Sequence, residues 1–297
     1  MFELLNHTLT IGIIVVSFLA VVSYKLRFVD FSGLVSAYII GIIVWYTGGP
    51  GAFALLLFFL VSASIATKYK YKAKEAAGVA QEGKGMRNWK NVIYSGLIPT
   101  LFSIGGYLAP NFGLDSLIFT YGFIGAVATT TADTLASEIG VFSQSKPRLI
   151  TNLRRKVPRG TIGAVSSLGE YVALFSSLAV GILAYIFAIL GIIPVNNSIV
   201  VIIIATVAGF IGCNTDSLIG AVFQAKYQCT VCGKITDKTL HCGKPTVYRR
   251  GFKRVDNTVV NFTSSTLGAT IAIILVTGLL IYLLSALFLW LVATSGD

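Results

Sequence analysis

Residues 31–68 read FSGLVSAYIIGIIVWYTGGPGAFALLLFFLVSASIATK, and this stretch decides the fold class. It carries no charged side chain before Lys68, and Gly48-Gly49-Pro50 divides it into two apolar runs, 31–47 and 51–67. A helix that crosses a bilayer needs roughly 20 mostly apolar residues, and proline interrupts a helix. The stretch therefore predicts two transmembrane helices that are joined by a short turn.

The rest of the chain has the same character. Of 297 residues, 55% are hydrophobic and 12% are charged, whereas soluble domains carry roughly 25% charged residues. An ordinary soluble domain, a disordered chain and a disulfide scaffold are thereby excluded. The sequence predicts an all-α transmembrane helical bundle of about eight spans, forming a single integral membrane domain over residues 1–297. Spans are expected at residues 8–24, 31–47, 51–67, 92–109, 115–137, 163–190, 198–224 and from about 258 to 294.

The last segment leaves two alternatives open. Residues 257–296 contain no charge, and at 1.5 Å per residue one helix of this length exceeds a hydrocarbon core of ~30 Å. Either one span begins near Thr266, or the segment breaks near Gly268 or Gly278 and the bundle has nine spans.

The positive charges predict the topology. All 23 Lys and Arg residues fall in the segments that follow the first, third, fifth and seventh spans, and the alternate connections contain none. Because cytoplasmic loops carry an excess of Lys and Arg, the N-terminus is expected outside and the basic segments are expected in the cytoplasm. The plasma membrane of a prokaryote is the expected location.

A weak repeat links the fifth and seventh spans. Thr131-Ala132-Asp133-Thr134-Leu135 resembles Asn214-Thr215-Asp216-Ser217-Leu218, and each is followed by a basic loop and a helix start rich in Ser, Thr and Gly. Two such units would be parallel repeats around one cytoplasmic cavity. The alternative is that Ser, Thr and Gly are common helix-packing residues.

Four acidic residues lie within or at the cytoplasmic ends of predicted spans: Asp133, Glu138, Glu170 and Asp216. An acid near the centre of a membrane helix costs ~2.5–3.5 kcal/mol, so it needs a partner, a metal ion or water. Ion pairs with the basic loops are one alternative. Carboxylate and amide oxygens favour a hard ion such as Mg²⁺, and Asn257 and Asn261 lie on one stripe of the last segment.

The loop after the fifth span combines cations, hydroxyl groups and glycine before a helix start. It contains Lys146, Arg148, Arg159, Thr161 and, at the helix start, Ser166. A helix N-terminus favours phosphate, and Arg and Lys neutralise phosphate charge. The loop therefore predicts polyphosphate binding; the alternative is attraction to anionic lipid, which fits residues 68–74 better.

Three of the four cysteines cluster in the last basic loop. Cys229, Cys232, His241 and Cys242 resemble two zinc knuckles in a cytoplasmic Cys/His loop inserted over residues 225–256. Structural Zn²⁺ is favoured over a disulfide or free thiols. Cys213, within the seventh span, is expected to be a small packing residue.

These motifs together resemble a known family, the membrane-embedded phytyl-phosphate kinases of plants with the related transmembrane protein 19 group and archaeal homologues. The resemblance spans nearly the whole chain. Its most specific blocks run from Asp133 to Gly140 and from Lys146 to Glu170, with further matches at 67–71, 89–91, 216–221 and 257–261. Leu135 and Ala164 stand where the family pattern would have Trp and Gly. Asp256-Asn257 stands in the reverse of the expected order, which leaves open which of the two faces the site.

The resemblance implies phosphorylation of an isoprenoid monophosphate of the phytyl or geranylgeranyl type to its diphosphate, with a nucleoside triphosphate such as CTP as donor. Catalytic roles fall on Asp133, Asp216, Glu138 and Glu170, of which Asp133 and Asp216 would hold Mg²⁺. Substrate-binding roles fall on Lys68, Lys146, Arg148, Arg159, Thr161, Ser166, Asn214, Asn257 and Asn261. A nucleic acid is not an expected partner. Two rivals stay open, a cytidylyltransferase that makes a CDP-lipid and an ion-coupled transporter.

Overall fold

The structure is a computed structural model that describes residues 2–81, 83–195 and 199–294. Most of these residues are helical. The helices are α1 (Phe2–Lys25), α2 (Phe31–Lys68), α3 (Tyr71–Ala76), α4 (Trp89–Leu108), α5 (Ser116–Gly140), α6 (Ser167–Ile189), α7 (Val200–Val222) and α8 (Asn257–Thr294). The prediction of a largely helical membrane protein is thereby confirmed.

Helix α2 contains the turn that the sequence predicts between its two apolar runs. Gly49 has φ +78° and ψ −179°, which is not helical, and Pro50 follows it. Only glycine adopts such a conformation without steric cost. The 38 residues of α2 thus form two helical segments of membrane-spanning length.

Helix α8 is continuous through both Gly268 and Gly278, so the break proposed as an alternative is not observed. Among the described residues, five helical stretches are long and apolar enough to cross a membrane, with the two segments of α2 counted as one: Phe31–Lys68, Trp89–Phe112, Ser167–Ile189, Val200–Val222 and Asn257–Gly278. The count of eight spans stays a prediction.

Helix α5 lies at the centre of the bundle and packs against α2, α4, α6, α7 and α8. Small residues bring its neighbours close. A Cβ atom on Gly268 of α8 would lie 1.9 Å from Oγ1 of Thr129, and one on Gly212 of α7 would lie 2.3 Å from the same atom. Such close approach is typical of helix packing within membranes, and it fixes α7 and α8 against α5.

Two loops of this helical bundle carry strands that the sequence analysis does not predict, and each forms a small antiparallel sheet. The first has the order β2-β1-β3, from Arg148–Leu149 (β1), Asn152–Lys156 (β2) and Ala164–Val165 (β3). The second has the order β5-β4-β7-β6, from Lys226–Cys229 (β4), Ile235–Thr236 (β5), Leu240–His241 (β6) and Lys244–Arg250 (β7).

The first sheet also moves a predicted helix start. The sixth span was expected to begin at Gly163, but α6 begins at Ser167. Gly163 has φ +74°, and a Cβ on it would lie 2.4 Å from Cβ of Ala221 in α7. Residues Ala164–Val165 then pair with β1, so the chain turns before the helix can start.

The four basic segments meet at one end of the bundle. The Lys68 ammonium donates to the carbonyl of Leu26 at 2.5 Å, and that of Lys234 donates to the carbonyl of Gly78 at 2.6 Å. Gly160 approaches Val79 closely as well. The shared face agrees with the charge pattern of the sequence, and its assignment to the cytoplasm stays a prediction.

Candidate functional site

A polar cavity of about 290 Å³ opens at the end of the bundle where the basic segments meet. The ends of α5 and α7, the start of α6 and the loop before α6 form its walls. The lining includes Asp133, Ser137, Arg159, Thr161, Ser166, Glu170, Asp216, Asp237 and Asn257. Most of the side chains that the sequence analysis singled out are therefore brought together.

Asp133 and Asp216 reach this cavity from different helices. They come from the two repeated motifs, one in α5 and the other in α7, and both line the same cavity. The hydroxyl of Ser264 in α8 donates to Oδ2 of Asp216 at 2.8 Å. This bond orients one carboxylate, and the pairing agrees with the repeat hypothesis, in which both motifs contribute to one site.

A second polar cavity, of about 520 Å³, adjoins the first and shares Asp133, Ser137, Asp237 and Asn257 with it. Asn261 also lines this second cavity. Asn257 thus faces the site, whereas Asp256 accepts from the backbone N–H of Val259 at 3.1 Å and caps α8. Of the two residues whose order departs from the family pattern, Asn257 is therefore the one that lines the cavities.

Glu138 lines the second cavity but is already engaged. Its Oε2 lies 2.5 Å from Nζ of Lys74, and its Oε1 accepts from the hydroxyl of Thr67 at 3.1 Å. Lys74 is 1% exposed and Glu138 is 14% exposed. Helix α5 stays regular as far as Gly140, so it does not unwind to bring Glu138 beside Asp133. Glu138 therefore forms an ion pair with a basic loop, which was the alternative to a role in a metal site.

Glu170 has a neutral partner. Nδ2 of Asn214 donates to Oε2 of Glu170 at 3.0 Å and to the carbonyl of Phe210 at 3.1 Å. An acid–amide contact of this kind joins α6 to α7 beside the first cavity. Asn214 therefore orients Glu170.

The predicted phosphate-binding residues divide into two groups. Arg159 and Thr161 line the first cavity, and Nη2 of Arg159 is held by the carbonyl of Ser143 at 2.6 Å. Ser166 is the N-cap of α6: its hydroxyl accepts from the N–H of Gly169 and donates to the carbonyl of Gly140.

Lys68, Lys146 and Arg148 line neither cavity. Arg148 lies in β1, and its Nη1 donates to the carbonyl of Leu153 at 2.7 Å. Lys68 lies over the ring of Phe28, with 5.0 Å between Nζ and the centroid. Local backbone acceptors and an aromatic ring hold these two cations away from the acids.

Two residues that sequence reasoning missed line the site. Asp237, in the Cys/His loop, lines both cavities, and Arg87, just before α4, lines the second. Burial lowers the pKa of Arg87 to about 10, which leaves the side chain protonated at neutral pH. Arg87 stands two residues before Trp89-Lys90-Asn91, a segment that matches the family pattern. This proximity is the feature of the sequence that could have pointed to Arg87.

The Cys/His cluster is assembled as the sequence predicts. The ligand atoms of Cys229, Cys232, His241 and Cys242 all lie within 4.8 Å of one another. Nδ1 of His241 is 3.5 Å from Sγ of Cys232 and 3.2 Å from Sγ of Cys242. Zn–S bonds of ~2.3 Å and Zn–N bonds of ~2.0–2.1 Å give ligand separations of roughly 3.5–3.8 Å in a tetrahedron.

The backbone around this cluster also suits a thiolate. The N–H groups of Val231 and Cys232 point to Sγ of Cys229 at 3.3 and 3.5 Å. These contacts, that of Cys232 foremost, lower the pKa of Cys229 to about 6. The donor set therefore fits Zn²⁺. Cys213 lies apart from it. The residue is buried at 6% exposure among Ala132 and Ala173, and it also lines the first cavity.

Comparisons with known proteins give consistent matches. The model of a family described as "Integral membrane protein DUF92" matches residues 14–269. "Uncharacterized membrane protein MJ0933" of Methanocaldococcus jannaschii is 31% identical over 218 residues, which cover 73% of this chain and 84% of that protein.

Two proteins of Arabidopsis thaliana are similarly related. "Protein PGR" is 32% identical over 270 residues, covering 86% of this chain and 92% of that protein. "Protein VTE6, chloroplastic" is 30% identical over 250 residues, covering 82% of this chain and 64% of that protein. No solved structure gives a significant match.

Proposed function

The chain belongs to the DUF92 family of integral membrane proteins, and on that premise we propose that it is a lipid-phosphate kinase embedded in the membrane. It would transfer a phosphoryl group from a nucleoside triphosphate, with CTP as the candidate donor, to an isoprenoid monophosphate of the phytyl or geranylgeranyl type. The product is the isoprenoid diphosphate. The resemblance to phytyl-phosphate kinases supplies the substrate class.

One observation carries this proposal: Asp133 and Asp216, from two helices, line the same cavity as Arg159. Acids beside a cation, at the end of a bundle, suit a metal-bound polyphosphate. The donor set of carboxylate oxygens fits Mg²⁺. Asp133 and Asp216 would hold this ion, which when bound neutralises charge on the nucleotide phosphates.

The remaining side chains would act on the substrates directly. The Arg159 guanidinium can bind phosphate oxygens with two parallel N–H bonds. Asn257 and Asn261 line the second cavity, of about 520 Å³, and would donate amide N–H groups to the sugar or the base of the nucleotide. Catalysis in this scheme is mainly positioning and charge stabilisation, because phosphoryl transfer needs little covalent help from protein.

Ser166 and Glu138 would act by positioning other groups. Ser166 caps α6 and so keeps the N-terminal end of that helix directed at the first cavity, where backbone N–H groups favour phosphate. Glu138 would hold Lys74 beside the second cavity. The site would face the cytoplasm, because all of the basic segments surround it and Lys and Arg concentrate on that side.

Structural Zn²⁺ in the Cys/His loop is part of the proposal. Asp237 lies between Cys232 and His241 in the sequence and lines both cavities. A metal bound by the four ligands would hold this wall of the site in place, with no part in the chemistry.

The decisive experiment incubates purified protein in lipid nanodiscs with CTP, labelled separately in the cytosine and in the γ-phosphate, and geranylgeranyl or phytyl phosphate. The kinase is expected to release CDP and to transfer the γ-label to the lipid. Release of labelled pyrophosphate with cytosine label in the lipid would instead identify a cytidylyltransferase. A protein that consumes no nucleotide with any isoprenoid phosphate, yet moves a solute across liposomes, would be a transporter.

A further inference from the structure

A third cavity lies outside the acid-lined site, between α1, α2 and α4, in the halves of these helices nearest the basic segments. Its walls are almost entirely hydrocarbon. The lining includes Val16, Leu19, Ala20, Leu34, Ala37, Ile40, Phe53, Leu56, Leu57, Phe59, Leu60, Val92 and Arg87. We call this cavity the apolar cleft. Several of its walls, among them Leu19, Leu34 and Ala37, are only half-buried, so the cleft adjoins the surface of the bundle.

Arg87 is the charged residue of this cleft, and it also lines the second polar cavity. The residue is 4% exposed, and its Nε has no hydrogen-bond partner. Among the described residues it is the one buried side-chain N–H or oxygen left in this state. Buried polar groups are nearly always hydrogen-bonded. A guanidinium that lies where two cavities meet, with one N–H unpaired, therefore has donor capacity that the protein does not use.

The neighbours of Arg87 explain why it stays unpaired. Glu138 is the nearby acid whose charge acts on Arg87, but its two oxygens accept from Lys74 and Thr67 and no bond joins them to Nε of Arg87. The guanidinium instead lies over the ring of Phe59, 5.3 Å from the centroid. A cation–π contact compensates part of the charge without using the Nε–H group as a donor.

The backbone holds Arg87 firmly in this place. Its N–H donates to the carbonyl of Phe28 at 2.9 Å, and its carbonyl accepts from the N–H of Asp30 at 3.1 Å. A Cβ on Gly33 would lie 2.2 Å from the same carbonyl oxygen. The side chain is therefore positioned by the connection between α1 and α2, which is the geometry of a preorganised binding group.

We propose that the apolar cleft binds the chain of an isoprenoid monophosphate next to its head group, and that Arg87 binds the phosphate of that lipid at the entrance to the second polar cavity. This inference rests on the proposed function and adds the location of the acceptor lipid to it. The hydrocarbon walls match an isoprenoid chain, and the buried cation matches the phosphate. Because Arg87 lines both the apolar cleft and the second polar cavity, a phosphate bound to it would lie at the cavity that Asp133 also lines.

The first experiment measures binding without nucleotide, so that it does not depend on turnover. Purified protein in phosphatidylcholine nanodiscs is titrated with labelled geranylgeranyl phosphate. Arg87→Lys keeps the charge and loses the planar fork, and we expect the affinity to fall roughly tenfold because Arg binds phosphate bidentately. Lys90→Arg is the matched control, since Lys90 is exposed and lies over Trp89. An affinity unchanged by Arg87→Lys would overturn the role of Arg87.

The second experiment tests the cleft itself and does not involve the buried cation. Ala37→Phe fills the cleft from α2, whereas Val35→Phe places the same ring at an exposed position of the same helix. We expect Ala37→Phe to weaken binding of geranylgeranyl phosphate strongly and that of the five-carbon isopentenyl phosphate much less, because the shorter chain occupies less of the cleft. Equal affinities of the two variants for geranylgeranyl phosphate would overturn the location of the chain.

A competition experiment decides between an isoprenoid and an ordinary membrane lipid. Phosphatidic acid in the nanodisc should leave the affinity for geranylgeranyl phosphate unchanged. If phosphatidic acid displaces labelled geranylgeranyl phosphate from the wild type but not from Ala37→Phe, the cleft binds ordinary phospholipid. That result would overturn the isoprenoid assignment. If the binding pattern holds but no nucleotide is consumed, the proposed kinase fails while the lipid site stands.

Discussion

The two halves of the bundle differ in how their helices pack. In the half formed by α5, α6, α7 and α8, glycines allow near backbone contact; a Cβ on Gly125, for example, would lie 2.7 Å from the carbonyl oxygen of Gly268. In the half formed by α1, α2 and α4, large side chains such as Phe53 and Leu56 surround the apolar cleft. Close backbone packing suits a site whose carboxylates must be held precisely, whereas a cleft between large apolar side chains suits the lipid chain that we propose.

The largest effect is expected where the tightly packed half carries its acids. Asp133→Asn and Asp216→Asn each remove one negative charge without changing the size of the side chain. A catalytic metal ion contributes several kcal/mol to transition-state stabilisation, so we expect turnover to fall by roughly 10²–10³-fold or more. Glu75→Gln, at an exposed site in α3, is the matched control and should keep full turnover. Near-normal rates for both aspartate variants would remove these residues from the metal site.

The next largest effect is expected at Lys74 of α3, which donates to the carbonyl of Ala66 at the end of α2 and pairs with Glu138 of α5, so that it links the two halves. Removing one partner of a buried ion pair leaves an uncompensated charge and costs about 3–5 kcal/mol. Lys74→Met and Glu138→Gln should each lower the thermal unfolding temperature in detergent, and the double variant should recover much of the loss.

The double variant also separates two roles of Glu138. If Glu138 only holds Lys74 in place, Lys74→Met/Glu138→Gln should be more active than Lys74→Met alone. A double variant that is as stable as the wild type but inactive would assign Glu138 or Lys74 to the reaction itself.

A smaller effect is expected from the packing contacts of α8. Gly268→Ala adds a methyl group that would lie 1.9 Å from Oγ1 of Thr129, whereas Gly278→Ala, ten residues later on the same helix, has no atom within 4 Å. Overpacking typically costs about 1–3 kcal/mol. We expect Gly268→Ala to lower the unfolding temperature and Gly278→Ala to leave it unchanged or raise it. Equal unfolding temperatures would show that α8 packs differently against α5.

The sequence predicts the acids and the cations better than their partners. Asp133 and Asp216 stand out because an acid is costly within an apolar helix, and their common cavity follows from the repeat. Lys74, in contrast, meets Glu138 only because α3 folds back against the end of α5, 64 residues away in the chain. The burial of Arg87 likewise depends on a backbone pairing with the connection after α1. Neither contact leaves a periodicity or a motif in the sequence.

The sequence pattern does not predict the strands of the basic loops either. Residues 163–166 have the Gly, Ser and Ala content of a close-packed membrane helix. The positive φ of Gly163 and its contact with Ala221 of α7 prevent the helix from starting there. A tertiary contact therefore overrides the local preference, and the cavity gains a wall made of loop rather than helix.

The smallest effect on the helical halves is expected at the proposed zinc site of the Cys/His loop, because its four candidate ligands all lie in that loop. Protein purified without added metal should contain one Zn²⁺ per chain, measured by mass spectrometry. Cys232→Ser should lose it, and Cys213→Ser, outside the cluster, should keep it.

Since structural zinc binds with ~10–16 kcal/mol, only a strong chelator should remove the ion. Trypsin should then cut the loop at Lys234 or Lys238 while the unfolding temperature of the bundle changes little. Turnover should fall less than for Asp133→Asn, because Asp237 loses its fixed position but the aspartates of α5 and α7 keep theirs. A metal-free protein whose loop resists trypsin would contradict the zinc site, and a chelated protein as inactive as Asp133→Asn would place the metal in the chemistry.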